Sequence, residues 1–171
     1  MKFLFKTLIL LVATVNLVQC QWERMSSSAW PDRHGYIRLV YNDLVWIMKG
    51  MSPSVTDYND VRSSPDGSAW TAVTSAAQWT ARRGATGLVF NNLMWVIGGY
   101  DGSTRLSDVW SSSNGVTWMQ ATAGAAWSGR IFHTSVVFNN RMWMIGGADA
   151  SGVRNDVWNS VDGVTWIEVT S

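Results

Sequence analysis

The side chains best suited to chemistry recur at matched places. Arg33, Arg82 and Arg130 each stand three residues after a tryptophan, Trp30, Trp79 and Trp127. Asp60, Asp108 and Asp156 recur at a second matched place. Three guanidinium groups could together hold a carboxylate. Their repetition favours a structural duty, because bidentate guanidinium geometry suits buried carboxylates and carbonyls. His34 and His133 are the only histidines, and they show no metal-ligand spacing. The lone cysteine, Cys20, lies in a leading apolar segment. No Ser-His-Asp order, phosphate loop or paired carboxylate stands out. The sequence therefore offers no catalytic residue, no metal site and no cofactor.

The elements that position these residues are written three times. Trp22, Trp70, Trp118 and Trp166 lie 48 residues apart. The segments LVYNDLVWIMKG, LVFNNLMWVIGG and VVFNNRMWMIGG are followed by NDVRSSPDGSAW, SDVWSSSNGVTW and NDVWNSVDGVTW. A period of this size with strand-like content signals a repeat architecture. In the second copy, Gly84 to Phe90 reads as a strand and Asn91-Asn92 as a two-residue turn. Leu93 to Gly98, Ser107 to Ser112 and Thr117 to Thr122 follow as strands, with Asn114-Gly115 as the second hairpin. Four antiparallel strands per unit describe a propeller blade. The fold class is all-β: a partial β-propeller of three four-stranded blades, about 35–73, 84–122 and 132–170. One leading outer strand at Trp22 to Met25 precedes them. These blades fill a propeller domain spanning 21–171.

Residues 1–20 form a separate segment. Lys2 and Lys6 precede an apolar run from Leu8 to Val15, followed by polar Asn16 and Val18-Gln19-Cys20. That is the shape of a secretory signal peptide. The expected location is secreted or cell envelope, with a lipid anchor at Cys20 as the alternative to simple cleavage. Cleavage there would leave no cysteine for a disulfide, a thiolate metal site or a nucleophile. The 13 basic and 12 acidic residues nearly cancel, and no basic run appears. The chain carries no electrostatic footprint for nucleic acid.

The pattern of strand, tight turn, aromatic-containing strand, Gly-Gly, variable loop, Asp-Val-aromatic and closing Trp resembles the kelch repeat of galactose-oxidase-like propellers. SVDGVTW, Ser160 to Trp166, resembles a shortened Asp-box hairpin. The kelch resemblance covers residues 22–171. It implies a binding or interaction module, a fragment of a larger propeller since closed rings have about four to eight blades. It also implies an alternative, the N-terminal half of a propeller enzyme acting on carbohydrate, of sugar oxidase, sialidase or sialic-acid mutarotase type. A galactose-oxidase-like copper site would need a Cys–Tyr pair and two histidines, and a mature chain without cysteine lacks it.

What varies between copies points to ligands. MSPSVTDYN, YDGSTRLS and ADASGVRN are polar, unequal loops on one face, and propellers bind through the face with long loops. The candidate binding residues there are Tyr58, Tyr100, Asp101, Arg105, Asp149 and Arg154. Trp79 and Trp127, in the segments leading into blades, are candidate exposed stacking platforms. The expected partner is a protein or carbohydrate ligand at the long-loop face. Open blade edges also invite self-association, including a dimer that makes six blades, in which two chains bring 26 strands where 24 are needed and the surplus outer strands would have to peel away.

Overall fold

The computed structural model describes residues 30–170. The segment expected to be a signal peptide, Cys20 and the outer strand expected at Trp22 to Met25 lie outside the described residues. Twelve strands follow in order: β1 (Ile37–Tyr41), β2 (Leu44–Met51), β3 (Asp57–Ser64), β4 (Thr71–Thr74), β5 (Thr86–Phe90), β6 (Leu93–Tyr100), β7 (Arg105–Ser112), β8 (Met119–Thr122), β9 (Thr134–Phe138), β10 (Arg141–Asp149), β11 (Gly152–Ser160) and β12 (Ile167–Thr170). They form three four-stranded antiparallel sheets, β1 to β4, β5 to β8 and β9 to β12, each an up-and-down meander. This is an all-β partial propeller of three blades.

Local chemistry fixes each blade. The pairs Asn42-Asp43, Asn91-Asn92 and Asn139-Asn140 all take positive φ, between 48° and 57°. That matches the right-handed twist of the flanking strands in a two-residue hairpin. The second hairpins are built by side chains. Ser64, Ser112 and Ser160 each accept a backbone N–H from the turn glycine at 2.8 Å. Asp66, Asn114 and Asp162 then accept two further backbone N–H groups each, at 2.8–2.9 Å. Such side-chain bonds are the reason Ser, Asp and Asn favour turns.

The blades pack face to face through two apolar clusters. Along β6, Met94 and Val96 join the cluster shared with the first blade. Trp95 and Ile97 join the cluster shared with the third. Alternate side chains of a strand point to opposite faces. A strand buried on both faces therefore reads as the unbroken apolar run seen in the sequence. β1, β5 and β9 lie side by side as the innermost strands. A cleft of about 250 Å³ between them, lined in part by Arg38, Thr86 and Thr134, marks the propeller axis.

Two expectations need correction. Trp79 and Trp127 are not exposed platforms, being 0% and 2% exposed. Each meets the closing tryptophan of its sheet edge-on, Trp79 on Trp118 with ring centroids 5.8 Å apart and Trp127 on Trp166 at 6.0 Å. The connecting segment crosses the seam between blades, and its largest apolar side chain is drawn into that seam, where burying an indole contributes most. The variable loops are also shorter than their composition suggests. Pairing resumes beyond each glycine-type bulge, as in Gly99 with Leu106 and Tyr100 with Arg105, or Asp149 with Gly152. Tyr58, Tyr100, Arg105, Asp149 and Arg154 thus stand on strand ends, and Asp101 remains in a loop.

Candidate functional site

The matched arginines build the scaffold under the site. Arg82 donates from both terminal nitrogens to Asp108, at 2.6 and 2.9 Å, and also to the Gly98 carbonyl at 3.0 Å. Arg130 does the same to Asp156, at 2.5 and 2.8 Å, and to the Gly146 carbonyl. Arg33 repeats it with Asp60 and the Lys49 carbonyl. The aspartates accept one further bond, from the Trp110 or Trp158 indole or from Arg62. Arg130 holds the Asp156 carboxyl below the usual carboxylate range. The three arginines are spent on three separate carboxylates and do not converge on one anion. Each rung ties the segment leading into a blade to the second and third strands of that blade.

Above this scaffold, a pocket of about 680 Å³ opens between the second and third blades. Tyr100, Arg105, Asp149 and Arg154, all singled out in the sequence, line it. β6 and β7 present Tyr100 and Arg105 as a cross-strand pair. Asp149 and Arg154 come from the β10–β11 hairpin. Arg154 donates through Nε to Asp149 at 2.6 Å, and the Ser128 hydroxyl donates to the same oxygen at 2.7 Å. The Ser151 and Gly152 N–H groups occupy its other oxygen. Ser128 and then Arg154 hold the Asp149 carboxyl far below its ordinary range, so it is an anion throughout the physiological span.

Arg83 forms another wall. It donates to Asp57 at 2.8 Å, and its guanidinium carbon lies 4.8 Å from the centre of the Tyr100 ring. That is within the reach of a cation–π contact. The Tyr100 hydroxyl donates to the Gly102 carbonyl at 2.8 Å, fixing the ring. Arg105 differs from its neighbours. It is half-buried, makes no ion pair among the described residues, and its buried Nε has no hydrogen-bond partner. Two of the pocket's three guanidinium groups are neutralised by carboxylates, and the third is left with an unmet donor. Gly129 allows this wall to close. An added Cβ there would lie 2.1 Å from the Arg105 carbonyl oxygen, so no larger residue could pass over the β7 backbone.

The remaining candidates lie elsewhere. The Asp101 carboxylate turns onto its own loop, accepting from the Thr104 and Ser103 N–H groups at 2.7 and 2.9 Å. The first of these chiefly lowers its pKa. Tyr58 is on the first blade, with the Arg33 guanidinium 4.4 Å over its ring. Trp79 and Trp127 lie within the blade seams. Sequence reasoning missed Arg83 and Ser128. Arg83 carried a readable signal, since it occupies the place of His34 and Ile131 in the other copies, and variation at a matched position marks a residue released from scaffold duty. Ser128 carried none.

Residues 81–111 match the family model of the Kelch motif. The matched segment begins beside Arg82 and runs through β5, β6 and nearly all of β7, so it contains the scaffold rung and Arg105. With three four-stranded antiparallel sheets, the match fits a kelch-type partial propeller. A search of the curated proteins finds no match.

Proposed function

We propose that this chain is a protein-interaction module of kelch type that anchors an acidic side chain of its partner on Arg105. The Kelch motif supports the class of function, because kelch repeats generally mediate protein–protein contact. The observation that carries the finer reading is the unpaired, half-buried guanidinium in a pocket where the other charges are matched. A partner carboxylate at the terminal nitrogens of Arg105 would gain a charge-assisted hydrogen bond without competing with Asp149, which Ser128 and Arg154 already hold. Tyr100, stiffened by Arg83 and Gly102, supplies an amphipathic ring of the kind that anchors protein interfaces. A protein ligand is favoured over a carbohydrate because the indoles best placed for sugar stacking are buried.

The test is selection of peptides from a displayed random library on the full chain. Selected peptides should share an Asp or Glu, and Arg105→Gln should weaken them about tenfold to a hundredfold, matching the roughly 1.5–3 kcal/mol of a hydrogen bond to a charged group. Equal binding to the variant would remove Arg105 from the reading. The proposal includes export to the cell envelope or beyond, on the strength of Lys2, Lys6 and the apolar run from Leu8 to Val15. Mass spectrometry of the isolated product's N-terminus tests that part, and an intact Met1 would overturn it.

A further inference from the structure

We infer that two copies of this chain join head to tail, the third blade of each seating on the first blade of the other, to close a ring of six blades. The contact required is one the chain already makes twice with itself. Trp46 of the first blade presses the edge of its indole against the turn glycine of the second, so that a Cβ added at Gly115 would fall 2.4 Å from its ring. Trp95 meets Gly163 of the third blade the same way, at 2.2 Å. Each seam is thus an indole plug in a glycine socket. Both indoles are pinned through their Nε1 to a carbonyl on their own blade, Tyr41 and Phe90, at 2.9 Å.

The series leaves one of each over. Trp143 is the third plug, pinned identically to the Phe138 carbonyl at 2.9 Å, yet it is half-exposed. Gly67 is the first socket. Its φ of +77° matches the +73° of Gly115 and +75° of Gly163, but nothing among the described residues comes within 4 Å of its missing Cβ. The surroundings agree. Leu88, Phe90 and Ile97 are buried at the second seam, while their counterparts Val136, Phe138 and Ile145 are 45%, 61% and 38% exposed. On the first blade, Val40 points away from the first seam and is 72% exposed. The two open faces are therefore complementary to each other, and neither is complementary to itself. That makes the interface heterologous, and such an interface yields a closed assembly only if the rotation closes. Six blades fall inside the range of closed propellers. Closure also makes the second contact intramolecular, with an effective concentration in the millimolar range.

Sedimentation of the full chain and of Val40→Glu and Phe138→Asp tests the inference. Both substitutions fall on exposed side chains outside the seams, and circular dichroism should show the same strand content in all three. Wild type should sediment at twice the 19.0 kDa of one chain. Each variant alone should dissociate at least about a hundredfold more readily, a change of roughly 2.7 kcal/mol. An equimolar mixture of the two variants should regain a dimer through its one unaltered junction. A wild type that stays monomeric at about 100 μM, a free energy near −5.5 kcal/mol, would overturn the inference. So would a dimer broken by Phe138→Asp and untouched by Val40→Glu, which would mean that like faces meet. An open ladder of higher oligomers would overturn the closed ring.

Discussion

Two buried basic side chains set how stability responds to pH. Lys49 is fully buried and occupies the place of Gly98 and Gly146 in the other blades, with its amine donating to the Gly35 carbonyl at 2.7 Å. Burial first, then the nearby Arg82, lowers its pKa from 10.5 to about 7. His133 is buried beside Arg130, and burial followed by that charge lowers its pKa from 6.5 to about 4. In both cases the unfolded chain binds the proton more tightly than the folded one. Stability therefore rises with pH from about 4 to 6.5 through His133, and again from about 7 to 10.5 through Lys49. At 1.36 kcal/mol per pH unit the first rise is roughly 3 kcal/mol. His133→Ala places the residue of the matched position Ala85 there and should flatten the lower rise. Lys49→Met should flatten the upper one. Urea midpoints across pH check both, and an unchanged lower slope in His133→Ala would assign the titration elsewhere. The site was partly legible for a related reason. Tyr100, Arg105, Asp149 and Arg154 stood out because they vary where the repeat is otherwise fixed. The bonds that hold Asp149 were not legible, since Ser128 and Arg154 reach it from two different elements.

At the scale of the element, the turn glycines separate two effects that the sequence merges. Gly67, Gly115 and Gly163 share one turn, one φ and one serine bond, so the text of the repeat makes them equivalent. The structure does not, because indole rings cover Gly115 and Gly163 and leave Gly67 bare. Gly67→Ala should cost about 1–2 kcal/mol, the strain of a left-handed backbone with a Cβ. Gly115→Ala carries that strain and must also displace Trp46, which adds about 1–3 kcal/mol of overpacking. Chemical denaturation at dilution, below any dimer formation, measures the difference. Equal losses would mean that the Trp46 seam yields freely. The strands and hairpins were legible because each depends on local chemistry: paired asparagines, the Ser-x-Asp-Gly turn, alternating apolar faces. The fate of Trp79 and Trp127 was not. Their neighbours in sequence are small or polar, with no apolar run to mark a buried stretch, and only the crossing between blades carries them inward. The loops were overread for a similar reason, since pairing past Gly99 and Gly147 depends on backbone geometry that polar side chains do not reveal.

For the whole molecule, stability should follow the number of neighbours. In a stack of repeats each unit is held by its own bonds and by the seams on either side. The second blade contributes to both clusters, whereas the first and third each contribute to one. The core of β6, where Met94, Val96 and Ile97 are fully buried, should therefore open last. β10 carries matching residues, but Ile145 and Trp143 face outward where Ile97 and Trp95 are covered. Amide hydrogen exchange reads this directly, because local opening free energies range from near zero at the edges to the global value at the core. In dilute solution, β6 amides should exchange at least about tenfold more slowly than those of β2 and β10, a gap of roughly 1.4 kcal/mol. Raising the concentration should slow β2 and β10 selectively if their outer faces find each other, since a partner that binds only the folded state adds to its stability. The gap should narrow while β6 changes least. Protection that is already equal across the three blades at high dilution would mean that an open blade face costs nothing, and the neighbour argument would fail for this fold.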